Sequence, residues 1–165
     1  MKIAVTDANI FIDLIKLQLL ELFFQLELEI HTTIEVIEEL YGSQQAELSA
    51  YHNNGVLTIH SFEFEDFQSI IQLTIERTIS IPDATVIYYA LRVNAIVLSG
   101  DNKLRKSCIE KEIEVHGMVW IFDQLVERLL LPSFDAAIKM QILISFNDRL
   151  PMEDCAERIK RWSAK

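Results

Sequence analysis

The chain is poor in the residue types that mark flexible, disulfide-bonded or membrane-spanning proteins. Its 165 residues include only four glycines, three prolines and two cysteines. With so few glycines and prolines, no stretch has the composition of a linker, a repeat or a low-complexity segment. No apolar run approaches the roughly 18 residues that a membrane span needs. We therefore predict one continuous folded unit that does not enter a membrane.

The scarcity of cysteine bears on the cellular compartment. Cys108 and Cys155 lie far apart in the sequence and form no CxxC pair, which excludes a disulfide framework and argues against a thiolate zinc site. The apolar residues 3–5 precede Thr6 and Asp7 and are too few for the hydrophobic region of a signal peptide. These features predict a cytoplasmic protein with two ordinary thiols in a reducing environment.

Basic residues are scarce relative to acids. The chain has 15 Lys and Arg against 25 Asp and Glu, a net charge of −10. A domain that binds nucleic acid through bulk charge has a basic excess, so non-specific binding of this kind is excluded. Either the protein avoids nucleic acid, or its acids serve another purpose such as metal binding.

Apolar residues, by contrast, are plentiful. They make up 50% of the chain, and the mean hydropathy is +0.19, which excludes intrinsic disorder. A chain of this length is typical of one domain with a substantial core. We predict a single domain over residues 1–165, with a core of about residues 1–120 and a C-terminal helical extension of about residues 117–165.

Strand-like and helix-like patterns alternate along the core. Short apolar runs predict five strands, at residues 2–6, 28–31, 56–61, 95–99 and 113–115. Helical periodicity predicts helices between them, at residues 8–25, 32–42, 45–51, 63–77, 82–93 and 102–111. The second begins with Thr32 and Glu35 at capping-box spacing and ends near Gly42. This alternation predicts a three-layer α/β/α fold around a central parallel sheet, followed by about three helices broken at Pro132 and Pro151.

Acidic residues stand where two predicted strands end. Asp7 follows the first strand and Asp101 the fourth, and the carboxyl ends of parallel strands share the edge at which sites form. Asp83 and either Glu39 or its neighbour Glu38 lie in helices that can face the same edge. Clustered carboxylates suit Mg²⁺ or Mn²⁺, an ion that activates water and stabilises a transferring phosphoryl group.

Each acid also has an ordinary structural explanation. Asp101 can cap the helix that follows it, Asp83 suits the first turn of a helix, and Asp7 can close a turn. Glu39 is harder to explain, because like charges four residues apart, here Glu35 and Glu39, are unfavourable in a helix. The acids at two strand ends together favour a functional site.

Four segments around these acids resemble the motifs of PIN-domain nucleases. They are residues 5–13 (VTDANIFID), 33–40 (TIEVIEEL), 81–87 (IPDATVI) and 97–106 (VLSGDNKLRK), the last with Ser99 where Thr is more usual. The resemblance covers about the first 120 residues, with the motifs in the right order and spacing. Each motif alone is weak, but four in register are fairly specific.

The resemblance implies a fold, a site and an activity. PIN domains have a parallel sheet of order 3-2-1-4-5 and use Mg²⁺ or Mn²⁺ to cleave RNA by attack of a metal-activated water on phosphorus. By this resemblance, four acids would bind the metal and form the catalytic centre: Asp7, Glu39, Asp83 and Asp101. Asn9 and Ser99 would orient them from outside. Glu38 stays open as the alternative to Glu39.

The resemblance also bears on partners. Many bacterial PIN domains are VapC-type toxins inhibited by an antitoxin protein, which would then be a partner of this chain. Those toxins are usually shorter, so the extension leaves the choice between a toxin and a housekeeping nuclease open. The apolar excess predicts a homodimer, with Phe23, Phe24 and residues 129–131 as candidates for its face.

Basic and aromatic residues offer candidates for RNA contacts. Lys103, Arg105 and Lys106 follow Asp101 and either hold phosphates or form a solvated helix face. The basic residues around Trp162 are more typical of a solvated helix end than of a base-stacking platform. The four histidines lack metal-ligand spacing and are interpreted as structural or surface residues: His31, His52, His60 and His116.

Three other functions compete with a ribonuclease. A HAD-like phosphatase also has an acid after its first strand but needs a second acid where this chain has Asn9. A phosphorylated receiver domain needs paired acids before Asp7 and a Lys-Pro near the last strand, and both are missing. A non-catalytic binding module with a PIN fold would not need all four acids. The sequence therefore favours the nuclease.

Overall fold

The computed structural model describes residues 1–164, which fold around one five-stranded sheet. The strands are β1 (Lys2–Thr6), β2 (Leu28–Thr33), β3 (Leu57–His60), β4 (Ile96–Leu98) and β5 (Val115–His116). All neighbouring strands pair in parallel, and their order is β3-β2-β1-β4-β5. The predicted parallel sheet and its strand order are confirmed.

Ten helices connect and follow the strands in the described part of the chain. They are α1 (Ala8–Lys16), α2 (Leu20–Phe23), α3 (Ile34–Glu38), α4 (Gly42–Asn53), α5 (Asp66–Arg77), α6 (Ile81–Val93), α7 (Asn102–Glu110), α8 (Met118–Glu127), α9 (Ser133–Phe146) and α10 (Met152–Ser163). Helices α8 to α10 are the predicted extra C-terminal helices, and the breaks between them contain Pro132 and Pro151.

The central strand shows why the sheet is covered on both faces. Ala4, Val5 and Thr6 of β1 are all buried. Because successive side chains of a strand point to opposite faces, consecutive burial means that helices cover both sides, as in other parallel sheets. Helix α6 contacts β1, β2 and β4. The three-layer α/β/α architecture follows.

The prediction of one continuous helix over residues 8–25 is wrong, because the structure has two shorter helices there. Helix α1 ends at Lys16 and α2 begins at Leu20, because Gln18 adopts a left-handed conformation with φ +57° that interrupts a right-handed helix. Leu17 and Leu19 on either side of Gln18 are buried. The apolar pattern therefore continues across the break, and periodicity gives no sign of it.

The second predicted helix also begins and ends differently from the expectation. Strand β2 continues to Thr33, whose side chain accepts a hydrogen bond from the Val36 N–H at 3.3 Å and so caps α3. The Thr32 hydroxyl instead donates to the Thr6 carbonyl at 2.8 Å. The capping box on Thr32 is wrong because that side chain joins β2 to β1. Gly42 begins α4 rather than ending the preceding helix.

Burial decides the role of several residues that the sequence left open. Cys108 and Cys155 are both buried and free, and burial raises the pKa of the Cys108 thiol to about 12. Trp162 is buried and stacks on Phe122, so it offers no face to a base. No helix within residues 1–164 is both long and apolar enough to cross a membrane.

The predicted dimer face is corrected in part. Phe23 and Leu131 are buried in the core of this chain, and the Phe24 ring stacks on Tyr51 with centroids 4.4 Å apart. Helix α2, which carries Phe23, packs against α8 of the same chain. Leu129, by contrast, is 90% exposed.

Candidate active site

The strands β1 and β4 bring Asp7 and Asp101 to the same edge of the sheet. The two strands are neighbours, with Thr6 opposite Leu98, and the Asp7 N–H donates to the Leu98 carbonyl at 3.1 Å. Asp7 is the N-cap of α1 and Asp101 the N-cap of α7. The capping explanation of Asp101 is thus correct, while Asp7 caps a helix instead of closing a turn, and both caps stand at the same edge.

Asp7 is held rigidly beneath this edge. It is only 4% exposed. One carboxylate oxygen accepts a hydrogen bond from the Ile10 N–H at 3.0 Å, and the other accepts from the Ser99 hydroxyl. The Ser99 oxygen in turn accepts from the Asp101 N–H at 3.0 Å. Ser99 therefore connects Asp7 to the start of α7.

The environment of Asp7 disfavours its charged form. Desolvation by burial raises the pKa of Asp7 to about 7, and the charges of Asp83 and Asp101 add to this effect, while the hydrogen bonds from Ser99 and Ile10 oppose it. Without a cation, Asp7 is therefore about half protonated near neutral pH. Such a shift is typical of functional sites.

Asp83 and Glu39 complete the group of acids. Asp83 lies in the first turn of α6, and burial followed by the charge of Asp101 raises its pKa. Glu39 is the C-cap of α3, and desolvation of its carboxylate by neighbouring groups, followed by the charge of Asp83, raises its pKa. The four predicted acids thus act on one another at one edge, and we call them the carboxylate group.

The choice between Glu38 and Glu39 is informed by the groups that each one faces. Both residues are exposed at the end of α3. The Glu38 charge contributes to a raised pKa of Glu35 within the same helix, whereas Glu39 is coupled to Asp83 across the site. This arrangement favours Glu39 as the member of the carboxylate group.

A chain of hydroxyl contacts positions the helices that carry Glu39 and Asp83. The Thr33 hydroxyl lies 2.9 Å from the Thr85 hydroxyl, and Thr85 donates to the Pro82 carbonyl at 2.6 Å. Thr33 and Thr85 are fully buried. Both threonines stand within the recognised motifs, and their pairing joins two motifs that are far apart in sequence.

The carboxylate group suits a hard divalent cation in its chemistry but is not drawn tightly together. All of its donors are oxygens, which Mg²⁺ and Mn²⁺ prefer, and a cation would relieve the repulsion among them. Within residues 1–164, however, no three His, Cys, Asp or Glu side chains are close enough to hold a metal ion.

Arg149 reaches the carboxylate group from the C-terminal helices. Its guanidinium lies 3.4 Å from one Asp101 oxygen, and the other Asp101 oxygen accepts from the Leu104 N–H at 2.9 Å. Arg149 stands in the segment between α9 and α10. Sequence reasoning missed this residue, because a single arginine in a polar segment carries no local signal for a contact 48 positions away.

A cavity of about 660 Å³ opens beside the carboxylate group. Its walls come from α1, α7, α8 and the α9–α10 segment, and include Asn9, Arg105, His116, Trp120 and Arg149. The Arg105 guanidinium also donates to the Ser99 carbonyl at 2.9 Å.

The residues predicted to orient the four acids or to contact RNA lie in different environments in the structure. Ser99 contacts Asp7 and Asp101 directly, whereas Asn9 is exposed and borders the cavity. Of the three basic candidates for RNA contacts, Arg105 lines this cavity, while Lys103 and Lys106 are exposed on α7 and are not among its lining residues.

A further acid of the first motif lies in the cavity wall. Asp13 is 8% exposed, and its carboxylate accepts a hydrogen bond from the Asn147 amide at 2.8 Å. Burial raises the pKa of Asp13, while the Asn147 hydrogen bond and the Lys16 charge oppose this. Asp13 is the last residue of the first motif, and the sequence alone gives it no role because its partner Asn147 comes from the α9–α10 segment.

The parallel sheet with helices on both faces places the chain in the class of three-layer α/β/α proteins, and comparison identifies the family. The model of the PIN-domain family matches residues 3–163. The chain therefore belongs to the PIN-domain family, and the match extends through the C-terminal helices, beyond the 120 residues of the motif resemblance.

Comparison with solved structures gives a distant likeness. A toxin–antitoxin complex from Klebsiella pneumoniae is similar to this chain with a TM-score of 0.45 and 20% identity, over 61% of this chain and 88% of that one. No curated protein matches the sequence.

Proposed function

We propose that the protein is a metal-dependent ribonuclease that hydrolyses RNA phosphodiester bonds. The observation that carries the proposal is the carboxylate group at one sheet edge. Burial and the charges of neighbouring acids in this group raise the pKa values of Asp7, Glu39 and Asp83. Membership of the PIN-domain family supports nuclease activity. The HAD-like phosphatase is less well supported, since Asn9 stands where its second acid is needed and is exposed on the cavity wall.

Asp7, Glu39, Asp83 and Asp101 would hold Mg²⁺ or Mn²⁺ once their carboxylates draw closer together than they lie in the structure, where no three acids of residues 1–164 form a metal site. A cation bound there would supply a water of increased acidity and stabilise charge on the phosphoryl oxygens. Asp7 would release its proton on binding, because its pKa lies near 7 in the metal-free chain. Ser99 would keep the Asp7 carboxylate oriented through its hydrogen bond.

RNA would reach this site through local contacts rather than bulk charge. The chain carries a net charge of −10, which predicts weak general affinity for nucleic acid. Arg105 and Arg149 place positive charge in the cavity beside the carboxylate group. Lys103 and Lys106 on the exposed face of α7 would contribute contacts outside the cavity.

Partners follow from the same proposal. A homodimer is supported by the exposed apolar stripe at every fourth residue of α9: Phe134, Ile138, Ile142 and Phe146. Light scattering at micromolar concentration tests it, and a monomer would overturn it. An antitoxin partner, and with it a toxin role in the cytoplasm, would be indicated by co-purification of a short basic protein, since opposite charge favours association.

A cleavage assay with labelled single-stranded RNA tests the ribonuclease proposal. Wild type should cleave in Mn²⁺ or Mg²⁺ and stop in chelator, and Asp101→Asn should be slower by about a hundredfold or more. Asp135→Asn, which alters an exposed acid in the first turn of α9, is the matched control and should cleave normally.

Two results would overturn the proposal. One is normal cleavage by Asp101→Asn, which would remove the carboxylate group from the reaction. The other is turnover of a small phosphomonoester with the same dependence on Asp101 and no RNA cleavage, which would indicate a phosphatase.

A further inference from the structure

The cavity beside the carboxylate group has the size and lining of a ligand site. Its volume of about 660 Å³ lies within the roughly 300–1,000 Å³ that is usual for small-molecule sites. Asn9 and Gly100 belong to its wall, and each is close in sequence to a member of the carboxylate group. A ligand in the cavity is therefore a neighbour of the proposed reaction centre.

An aromatic pair forms part of the cavity wall. The His116 and Trp120 rings are stacked, with centroids 4.3 Å apart and an interplanar angle of 12°. Both residues are half-buried, and the His116 ring is fixed by a contact of 2.9 Å between its Nε2 and Glu114. A stacked, partly exposed aromatic surface of this kind binds planar bases without strong sequence preference.

The same cavity carries positive charge next to the carboxylate group. Arg149 lines the cavity, contacts Asp101, and its side chain is 57% exposed. A guanidinium in such a position can exchange a carboxylate for a phosphate, which it binds with similar geometry. A nucleotide phosphate at Arg149 would therefore adjoin the proposed metal site.

The acids of the cavity wall restrict the ligand. Asp13 and Asp123 are engaged by Asn147 and Arg158, and Asp148 and Asp154 are exposed in the same wall. The same wall carries Lys16, Arg105, Arg149 and Arg158, so its acids and bases are equal in number and offer no excess positive charge for a polyphosphate. A nucleotide within a strand brings one phosphate and an uncharged base, which fits better.

We propose that the cavity binds one nucleotide of a single-stranded RNA substrate, with its base on Trp120 and its phosphate at Arg149. The inference rests on the ribonuclease proposal and adds to it the manner of substrate binding. Arg149 then has two partners: Asp101 in the free protein and the RNA phosphate in the complex.

Tryptophan fluorescence tests this directly. Trp120 and Trp162 are the only two tryptophans, and Trp162 is 2% exposed in the core. A short single-stranded RNA added to the wild-type chain in chelator should therefore quench the emission of Trp120 saturably. An unlabelled basic peptide serves as the competing probe, and quenching by the peptide without quenching by RNA would overturn the proposal.

Variants separate base stacking from general folding. Trp120→Ala should weaken binding of labelled RNA about tenfold in fluorescence anisotropy, while Trp120→Phe should retain most of it because it keeps an aromatic face. Phe64→Ala, at an aromatic that is 90% exposed and outside the cavity lining, is the matched control. Thermal denaturation verifies that each variant is folded.

The outcomes distinguish this inference from the ribonuclease proposal. Binding that depends on Trp120 without metal-dependent cleavage would support the nucleotide site and overturn the nuclease. Cleavage that depends on Asp101 with unchanged RNA affinity and unchanged KM in Trp120→Ala would support the nuclease and overturn the nucleotide site.

Discussion

Acidic side chains have opposite electrostatic environments in two regions of this molecule. Between α8 and α10, both carboxylate oxygens of Asp123 face Arg158, at 3.1 and 2.9 Å. At the sheet edge, by contrast, the structure of residues 1–164 pairs no lysine or arginine with Asp7. Asp123 is therefore compensated by a cation within the fold, whereas Asp7 lacks the compensation that a ligand would supply.

The proton affinities express this difference. The hydrogen bonds from Arg158 to Asp123 raise the pKa of the arginine and so favour its charged form. Burial raises the pKa of Asp7 to about 7 and so disfavours its charged form. Uncompensated charge inside an otherwise well-packed domain therefore locates the candidate site better than the number of acids does.

The largest expected effect is a dependence of stability on pH at the sheet edge. In chelator, the free energy of unfolding should fall as pH rises from about 4 to about 7, because the folded state holds a proton on Asp7 that the unfolded state has lost. A shift from 3.8 to about 7 corresponds to up to about 4 kcal/mol. Urea denaturation across this range measures it.

The same substitution in the two regions sharpens the comparison. Asp7→Asn should flatten this pH dependence and raise the unfolding free energy at pH 8, since it removes an uncompensated charge but keeps a capping side chain. Asp123→Asn should instead destabilise the protein because it leaves Arg158 with a weaker partner. Destabilisation by Asp7→Asn in chelator would contradict the view that its charge is uncompensated.

Removing the Asp123–Arg158 ion pair between α8 and α10 should have a smaller effect on the free energy of unfolding. Arg158→Ala should lower the unfolding free energy by about 2 kcal/mol, since the pair is only partly exposed and the substitution leaves the Asp123 carboxylate without its main cationic partner. Arg161→Ala is the control, because Arg161 lies 3.8 Å from the same acid and is 51% exposed, and it should cost no more than about 0.5 kcal/mol. Equal losses in the two variants would show that packing, not pairing, dominates.

The smallest effect concerns the contact that joins the two regions. Arg149→Ala should change stability by less than about 1 kcal/mol, because its pair with Asp101 is exposed. Added Mn²⁺ should then raise the melting temperature more than in wild type, since the guanidinium no longer competes with the cation. Arg128→Ala, which breaks an exposed pair with Glu27, should respond to Mn²⁺ like wild type. Equal responses in all three proteins would exclude competition at Asp101.

Much of the fold was predictable because the signals are local. Apolar runs, strand-end acids and the prolines between the last helices depend on neighbours in the chain, and they predicted the strands and the C-terminal breaks. The turn at Gln18 was not predictable, because Leu17 and Leu19 continue the apolar pattern on both sides of it. Gly42 was misassigned, since a glycine is compatible with either end of a helix.

The sequence by itself determined the parallel sheet and the positions of Asp7 and Asp101 at its carboxyl edge, because strand pattern and capping are properties of short segments. Only the tertiary structure decided which groups surround those acids. The Asp101–Arg149 contact, the Asp13–Asn147 hydrogen bond and the stack of His116 on Trp120 in the cavity wall depend on how the C-terminal helices pack against the core. Such packing brings together residues far apart in the chain, and no local pattern encodes it.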